Sequence, residues 1–403
     1  MKGLKKYEGF IDKAILFGLS MLIFGLPFSN SIVEIAAVGV ICLWLVKKIF
    51  ILRSYKLEHT PLNTPIFVYF VFVLLSLINS RYLALSLMSV FSKTLEYLLI
   101  FFVVSESVRT PKDLRKIVSV LLFSCLLIGA DGLWQYFTGY DFLRGYGLYS
   151  LKRPTASLEF PNSFANWLVT VAPLCVSLAV FRMKENLYRR AGALLGILLF
   201  ASLVLTLNRG AILSFIPAVL FIAAKRGGAF KKTIIALLAV TVLLFGISAF
   251  LEGDAGVLRY VLRPSSVSHR ITLAKACVRM FLDRPFFGHG INTFMGIYGD
   301  YMNTSNFSVS YAHNCYLQIM VETGIFGLLA FLWIILAFFR SSLKDIKKRK
   351  DGFIKASQIG LSAGLMAYLF HSAADTTLYS LKLAVLFYYF LGLAAAVLKM
   401  EEE

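Results

Sequence analysis

Charged side chains are scarce in this 403-residue chain, at 16% of the sequence, while hydrophobic residues make up 58% and the mean hydropathy is +0.75. A soluble globular domain carries roughly 25% charged and about 45–50% apolar residues, and a disordered chain departs from that average in the opposite direction. Both classes are excluded, which leaves a polytopic membrane protein. Acidic residues are the scarcer sign, 22 against 41 basic, for a formal net charge of +19. In a soluble protein that excess would point to nucleic acid. In a membrane protein the short cytoplasmic loops collect Lys and Arg, so no nucleic-acid partner is expected.

Chemistry-bearing motifs are also missing. The five cysteines form no CxxC and no Cys/His cluster, and Cys42, Cys125 and Cys175 sit inside apolar runs, so neither a metal site nor a disulfide framework is expected. There is no Walker A sequence, no HExxH, no GxSxG and no Asp-x-Asp pair to hold a metal-bound nucleotide sugar. Energy for any reaction must then come from the substrate itself or from a gradient, with no cofactor. The basic N-terminus followed by an apolar run from Ala14 looks like a signal peptide, but no small-residue cleavage site follows, so an uncleaved first helix is expected.

What the sequence does have is long apolar runs. A hydrocarbon core of about 30 Å needs roughly 20 residues of helix, and about twelve such segments can be drawn: 12–28, 31–50, 64–80, 84–106, 114–137, 163–181, 191–207, 211–225, 233–251, 313–339, 355–373 and 380–398. The seventh and eighth must be separate, because one helix through both would reach about 51 Å, so Asn208-Arg209-Gly210 marks a turn. With the N-terminus inside, 28 of the 41 basic residues fall on the cytoplasmic side, 12 on the other, and Lys93 within a span. Both termini are therefore expected in the cytoplasm, with residues 1–403 forming a single integral membrane domain.

Two loops on the outer, non-cytoplasmic side are too long for mere connections: 138–162 and, above all, 252–312. Within the second, Ile271, Ala274, Val278, Phe281 and Leu282 recur at helical spacing and predict an interfacial amphipathic helix that stops at Asp283-Arg284-Pro285. The Gly288-His289-Gly290 that follows lacks the strand context and third glycine of a dinucleotide fingerprint.

Half of the twelve outward basic residues lie in the 252–312 loop, and Arg209 sits on a tight turn. Solvated loop charges would explain any single one. As a set, Arg153, Arg209 and Arg270 fit an anionic ligand better, because guanidinium offers phosphate paired donors. His313, at the start of the tenth span, is either a general base or a structural hydrogen-bonding residue. His371 and Asp375, four apart, are expected to share a helical face, as a base with its orienter or as a polar staple. Lys93 and Glu96, three apart, are expected to neutralise each other, whereas Glu34, Asp131 and Glu322 have no local partner and keep a proton-relay transporter open as an alternative. Glu322, nine residues after His313, would point about 180° away from it on an uninterrupted helix.

Five motifs stand in order along the chain: Arg153-Pro154-Thr155-Ala156 leading to Pro161-Asn162; Asn208-Arg209-Gly210-Ala211; Arg270 followed by Asp283 to Gly290; His313-Asn314-Cys315-Tyr316-Leu317 with Glu322 to Gly327; and His371-Ser372-Ala373-Ala374-Asp375. In these the chain resembles the O-antigen ligase superfamily, over roughly residues 150–395. The resemblance implies an all-α membrane glycosyltransferase of type C in the bacterial inner membrane, with a periplasmic active site. It implies a donor glycan on undecaprenyl diphosphate, transferred with inversion and without metal to a lipid A-core acceptor. Catalytic roles are carried onto His313, Arg209 and Arg270, and substrate-binding roles onto Arg153, Asn162, Arg284, Asn314, His371 and Asp375. Cys315 and Ala373-Ala374 depart from the small or apolar residues expected there. An O-antigen polymerase using the same donor and a lipid-linked glycan flippase are the alternatives. A flippase would be expected to show repeated halves with broken midplane helices, and none are evident.

Overall fold

The computed structural model describes residues 2–183, 186–228, 230, 232, 264–302, 311–344, 346 and 349–400. Among these residues no β-strand forms, only two isolated bridges, and the chain is built from helices. The helices are α1 (Lys2–Gly25), α2 (Asn30–Val46), α3 (Asn63–Leu75), α4 (Leu83–Ser107), α5 (Pro111–Thr138), α6 (Pro161–Val180), α7 (Asn186–Leu205), α8 (Arg209–Arg226), α9 (Pro264–Asp283), the short α10 (Phe294–Ile297), α11 (Cys315–Lys344), α12 (Gly352–Ser372) and α13 (Leu381–Lys399). Of the twelve expected spans, 233–251 lies outside the described residues, and every other one falls on a helix. By length and composition seven helices among the described residues can cross a membrane: α4, α5, α6, α7, α11, α12 and α13. The expected figure of about twelve is not reached among the described residues, where α2 has 17 residues, α3 has 13, α1 carries charges through its first half and α8 carries them at both ends. The protein is a multi-pass membrane protein.

Local chemistry sets the helix ends. Ser29 caps α2 by accepting from the Ile32 N–H, Asn208 caps α8 by accepting from Ala211 N at 3.0 Å, and Pro161 opens α6, where its missing N–H costs nothing. The turn expected at Asn208-Arg209-Gly210 is thus present, with α7 ending at Leu205 and α8 beginning at Arg209.

Two compact units divide the chain. The first comprises residues 1–117, 268–345 and 372–400, and the second 118–267, 346–371 and 401–403. In the first, α1 packs on α2, α4 on α13, and α3 on α11. One end of this unit is held by charge. Lys48 pairs with Glu106 at 2.7 Å, Trp44 donates to the same carboxylate, and Glu58 accepts from Lys399 at 2.7 Å and Arg109 at 3.1 Å. Lys47 and Lys48 are buried. Such pairs hold because the partner carboxylates offset the cost of desolvation. In the second unit α6 is the central helix, packed against α7 and α8.

The expectation for α9 is right in its helix and its stop at Asp283, but not in its buried face. Leu273, Cys277 and Met280 enter a core with Phe294, Ile297, Tyr298, Ala312 and Val321, while Ile271, Val278 and Leu282 are exposed. The helix is apolar on two faces, and small residues at Ala276 and Cys277 let the second approach its neighbours closely. Residues 252–263 and 303–310 of the long loop lie outside the described residues.

Candidate active site

In the first unit the motif Asp283 to Gly290 and the motif Glu322 to Gly327 are two halves of one backbone interlock. Helix α11 contains a residue far from helical geometry, Gly324, at φ 71° and ψ −173°. The break frees backbone groups that loop 285–290 then satisfies: His289 N donates to Val321 O at 3.0 Å, Gly290 N to Glu322 O at 2.9 Å, and Ile325 N to Pro285 O at 2.8 Å. A Cβ on Gly324 would strike Phe286 O, and one on Gly288 would strike the backbone of Glu322, so backbone meets backbone at both glycines. The glycines serve this close approach, not dinucleotide binding.

Glu322, just before the break, is completely buried and fully engaged. It accepts from Asn292 N at 2.9 Å, Phe294 N at 3.3 Å, Gln318 Nε2 at 3.2 Å and the Tyr379 hydroxyl at 2.8 Å. The expectation that it lacked a partner is corrected: its donors come from 30 and 57 positions away as well as from its own helix. It fastens the loop before α10 and the turn before α13 to α11.

That turn carries Asp375. Helix α12 ends at Ser372, so Asp375 lies off the helix and does not share a helical face with His371. Its partner is His313, with Nδ1 and Oδ1 3.5 Å apart, and the same oxygen accepts from Thr376 N at 2.8 Å. His313 also lies off its helix, which begins at Cys315, so the argument that it points 180° from Glu322 does not apply. The backbone at His313 is left-handed, at φ 50°, a conformation uncommon for any residue but glycine. Asn314 holds it there: its Oδ1 accepts from Tyr316 N and Leu317 N and caps α11, while its Nδ2 donates to Ala373 O at 3.0 Å. Cys315, one of the departures from the family pattern, donates its thiol toward Asp375 O at 3.4 Å. The His269 ring lies edge-on to that of His313 with centroids 6.3 Å apart, which places exposed Arg270 one residue from a neighbour of the imidazole.

The second unit holds Arg153, Asn162 and Arg209. Arg153 is 6% exposed, donating from Nε to Thr206 O at 2.6 Å and from Nη2 to Asn162 Oδ1 at 3.1 Å. Asn162 Oδ1 also accepts from Asn208 Nδ2 at 3.0 Å, and Asn208 caps the helix whose first residue is Arg209. The sequence reads Arg153 as an outward charge. It is instead a buried tie between the 139–160 loop and the end of α7, set beside the turn that presents half-buried Arg209. The same loop is pinned to α5 by Asp131, which accepts from Phe142 N and Ser157 Oγ, and by Gln135, which accepts from Thr155 N and Ala156 N. Asp131 therefore has partners, contrary to expectation. His371, on α12 in this unit, is buried.

Lys93 and Glu96 do not pair. A π-helical turn, Val90–Thr94, widens the helix at Lys93 and shifts residues three apart off one face, and Glu96 Oε1 is left with no hydrogen bond. Arg284, exposed on the first unit, lies 3.7 Å from Asp283 and lines a polar cavity described below. Among the described residues no group of three or more His, Cys, Asp and Glu side chains is placed to hold a metal ion.

Residues 193–332 match the family model described as O-Antigen ligase. That segment is similar to the O-antigen ligase family. It contains Arg209, Arg270, His313 and the Gly288–Gly324 interlock, and the resemblance drawn from the motifs is borne out over it. No curated protein matches the chain. A histidine held against a carboxylate just before a helix has the parts for abstracting a proton. Sequence reasoning found His313 and Asp375 separately. It missed their pairing, which no local spacing signals.

Proposed function

We propose that this protein is a lipid-linked oligosaccharide transferase, an O-antigen ligase of the bacterial inner membrane that moves a glycan from undecaprenyl diphosphate to lipid A-core oligosaccharide on the periplasmic face. The observation that carries the reading is the His313–Asp375 pair, whose histidine lies inside the segment that matches the O-antigen ligase family model. Asp375 faces Nδ1, which sets the tautomer so that Nε2 takes the proton of an acceptor hydroxyl. The 3.5 Å separation is long for a hydrogen bond, and catalytic contacts of this kind commonly tighten once substrate is bound.

In the proposed reaction the acceptor oxygen bonds to the anomeric carbon, the bond from that carbon to the diphosphate oxygen breaks with inversion, and diphosphate leaves on its lipid. Negative charge develops on that leaving group. Arg209 and Arg270 are the residues proposed to stabilise it, with gains larger in the transition state than in the ground state. Arg153 and Asn162 act as positioning residues for the Arg209 turn, and Asn314 as one for His313.

A polymerase would share donor, base and arginines and differ in acceptor. Purified protein in vesicles with a lipid-linked donor and either lipid A-core or a second lipid-linked glycan separates the two. Product on lipid A-core supports the ligase, elongated lipid-linked glycan supports the polymerase, and absence of product with both acceptors defeats the transferase reading.

A further inference from the structure

The first unit contains a polar recess that the proposed reaction does not use. It is a cavity of about 420 Å³, within the range of small-ligand sites. Arg81, from the turn before α4, forms one wall, and Asp283, Arg284, His289, Asp300 and Tyr301, from the end of α9 to the turn after α10, form the other. Arg81 pairs with Asp300 at 2.6 Å, and both side chains remain more than half exposed, so each keeps donors or acceptors for a ligand. Asp283 accepts from the Tyr301 hydroxyl at 2.7 Å and lies 3.7 Å from Arg284. The rings of His289 and Tyr301 meet at 71° with centroids 5.7 Å apart and supply the flat part of the lining.

The charge balance decides the class of ligand. Burial lowers the pKa of His289, whose Nε2–H donates to Met280 O at 2.8 Å, so the imidazole is neutral. Burial and the bond to Asp283 push the Tyr301 hydroxyl up to about 12, so it stays protonated. Two guanidinium groups and two carboxylates remain, and they sum to zero. A diphosphate would call for a positive excess and a divalent cation for a negative one. A neutral polyol suits alternating donors and acceptors, with hydroxyls donating to Asp283 and Asp300 and accepting from Arg81 and Arg284, and its C–H faces lying on the rings.

We infer that this cavity is a subsite for neutral sugar residues of a glycan substrate, apart from the residues proposed to hold the diphosphate. The inference rests on the glycan-transfer reading for the identity of that substrate. Its link to the base is structural: the backbone between His289 and Phe294 is fastened to Glu322, which also accepts from Tyr379, four residues after Asp375.

The test uses the full-length protein in vesicles, as wild type, Arg81→Gln and Asp300→Asn, both substitutions being at exposed positions. With transfer active, KM for donor or for acceptor should rise about tenfold or more in both variants, with kcat within about twofold, as for loss of a charge-assisted hydrogen bond made equally in ground and transition states. Unchanged KM for both substrates overturns the subsite while leaving the transferase reading intact. If wild type transfers to no acceptor, that reading fails and binding decides the subsite. Saturation-transfer difference NMR is then run with the oligosaccharide released from lipopolysaccharide by mild acid and stripped of phosphate. Sugar signals in wild type that weaken in both variants support the subsite. Signals that are absent, or equal in all three proteins, overturn it.

Discussion

Replacing Asp375 by Asn tests the proposed base while disturbing little else. Asparagine keeps an oxygen at the position that accepts from Thr376 N, so the turn after α12 is retained, and only the negative charge facing His313 Nδ1 is lost. A hydrogen bond to a charged partner contributes about 1.5–3 kcal/mol, and each 1.36 kcal/mol is a factor of ten in rate, which gives a loss of roughly tenfold to a hundredfold. The separation is 3.5 Å, and the two side chains are 34% and 20% exposed, so water screens part of the interaction and the loss should lie near the lower figure. Removing the imidazole itself, in His313→Ala, should cost more, about two to four powers of ten. Initial transfer rates and binding of lipid-linked donor, measured on the same purified samples, check both. Donor affinity should stay close to wild type in each. An Asp375→Asn variant with undiminished turnover, or one whose donor affinity falls in step with its rate, would refute the orienting role.

Arg209→Lys and Arg270→Lys should fold and insert normally yet lose most transfer, because lysine keeps the charge without the bidentate fork; near-wild-type rates in both would remove the diphosphate argument. Gly324→Ala should be strongly destabilising, since its backbone region is essentially restricted to glycine at a cost of about 1–3 kcal/mol and the new Cβ would also strike Phe286 O. Thermal unfolding followed by size-exclusion chromatography would show it, and an unchanged midpoint would contradict the interlock. The pH dependence has a definite sign. His289 is depressed below its ordinary 6.5, so the unfolded chain binds the proton first, and stability should decline as pH falls from about that value to the lower folded one, then level off. Glu58 is also depressed, because the hydrogen bonds and charges of Lys399 and Arg109 outweigh the upward push of burial, so its contribution is lost only further down, as pH falls below 4.5 through the folded value. Melting midpoints of wild type and His289→Gln across this range should converge at low pH.

The long helices were legible in the sequence because each is written locally as an apolar run, and some ends are marked by a capping side chain, as at α2 and α8, or by a proline, as at α5 and α6. Partnerships were not, because they join distant segments. Asp375 meets His313 across 62 positions, and Glu322 draws donors from Asn292 and Tyr379 on either side of it in the chain. Local spacing misled where geometry departs from an ideal helix: Lys93 and Glu96 fail to pair because the turn at Val90–Thr94 is π-helical, and His371 and Asp375 separate because α12 has already ended. The face of α9 was misjudged for another reason. Hydrophobic spacing identifies an apolar face but cannot choose between two, and the face that is buried is the one whose Leu273, Cys277 and Met280 meet Phe294, Ile297 and Val321.

The motifs that carry the family resemblance therefore do two different kinds of work. Arg209, Arg270 and His313 are the residues proposed to hold or move charge. Gly288, Gly290, Gly324 and Glu322 hold the backbone that loop 285–293 and α11 share, through bonds that need the absence of a side chain at Gly288 and Gly324 and four acceptor contacts at Glu322. The backbone set rests on a break in α11. An uninterrupted helix there would leave the N–H groups of His289 and Gly290 without their carbonyl partners, and the loop lining the sugar-sized cavity would lose its anchor. Because Glu322 also holds Tyr379, the same break anchors the turn that presents Asp375 to His313. The turn that carries Asp375 and the architecture of the loop are thus coupled through one buried carboxylate, which explains why residues with no proposed chemical part sit inside the motifs that carry the resemblance.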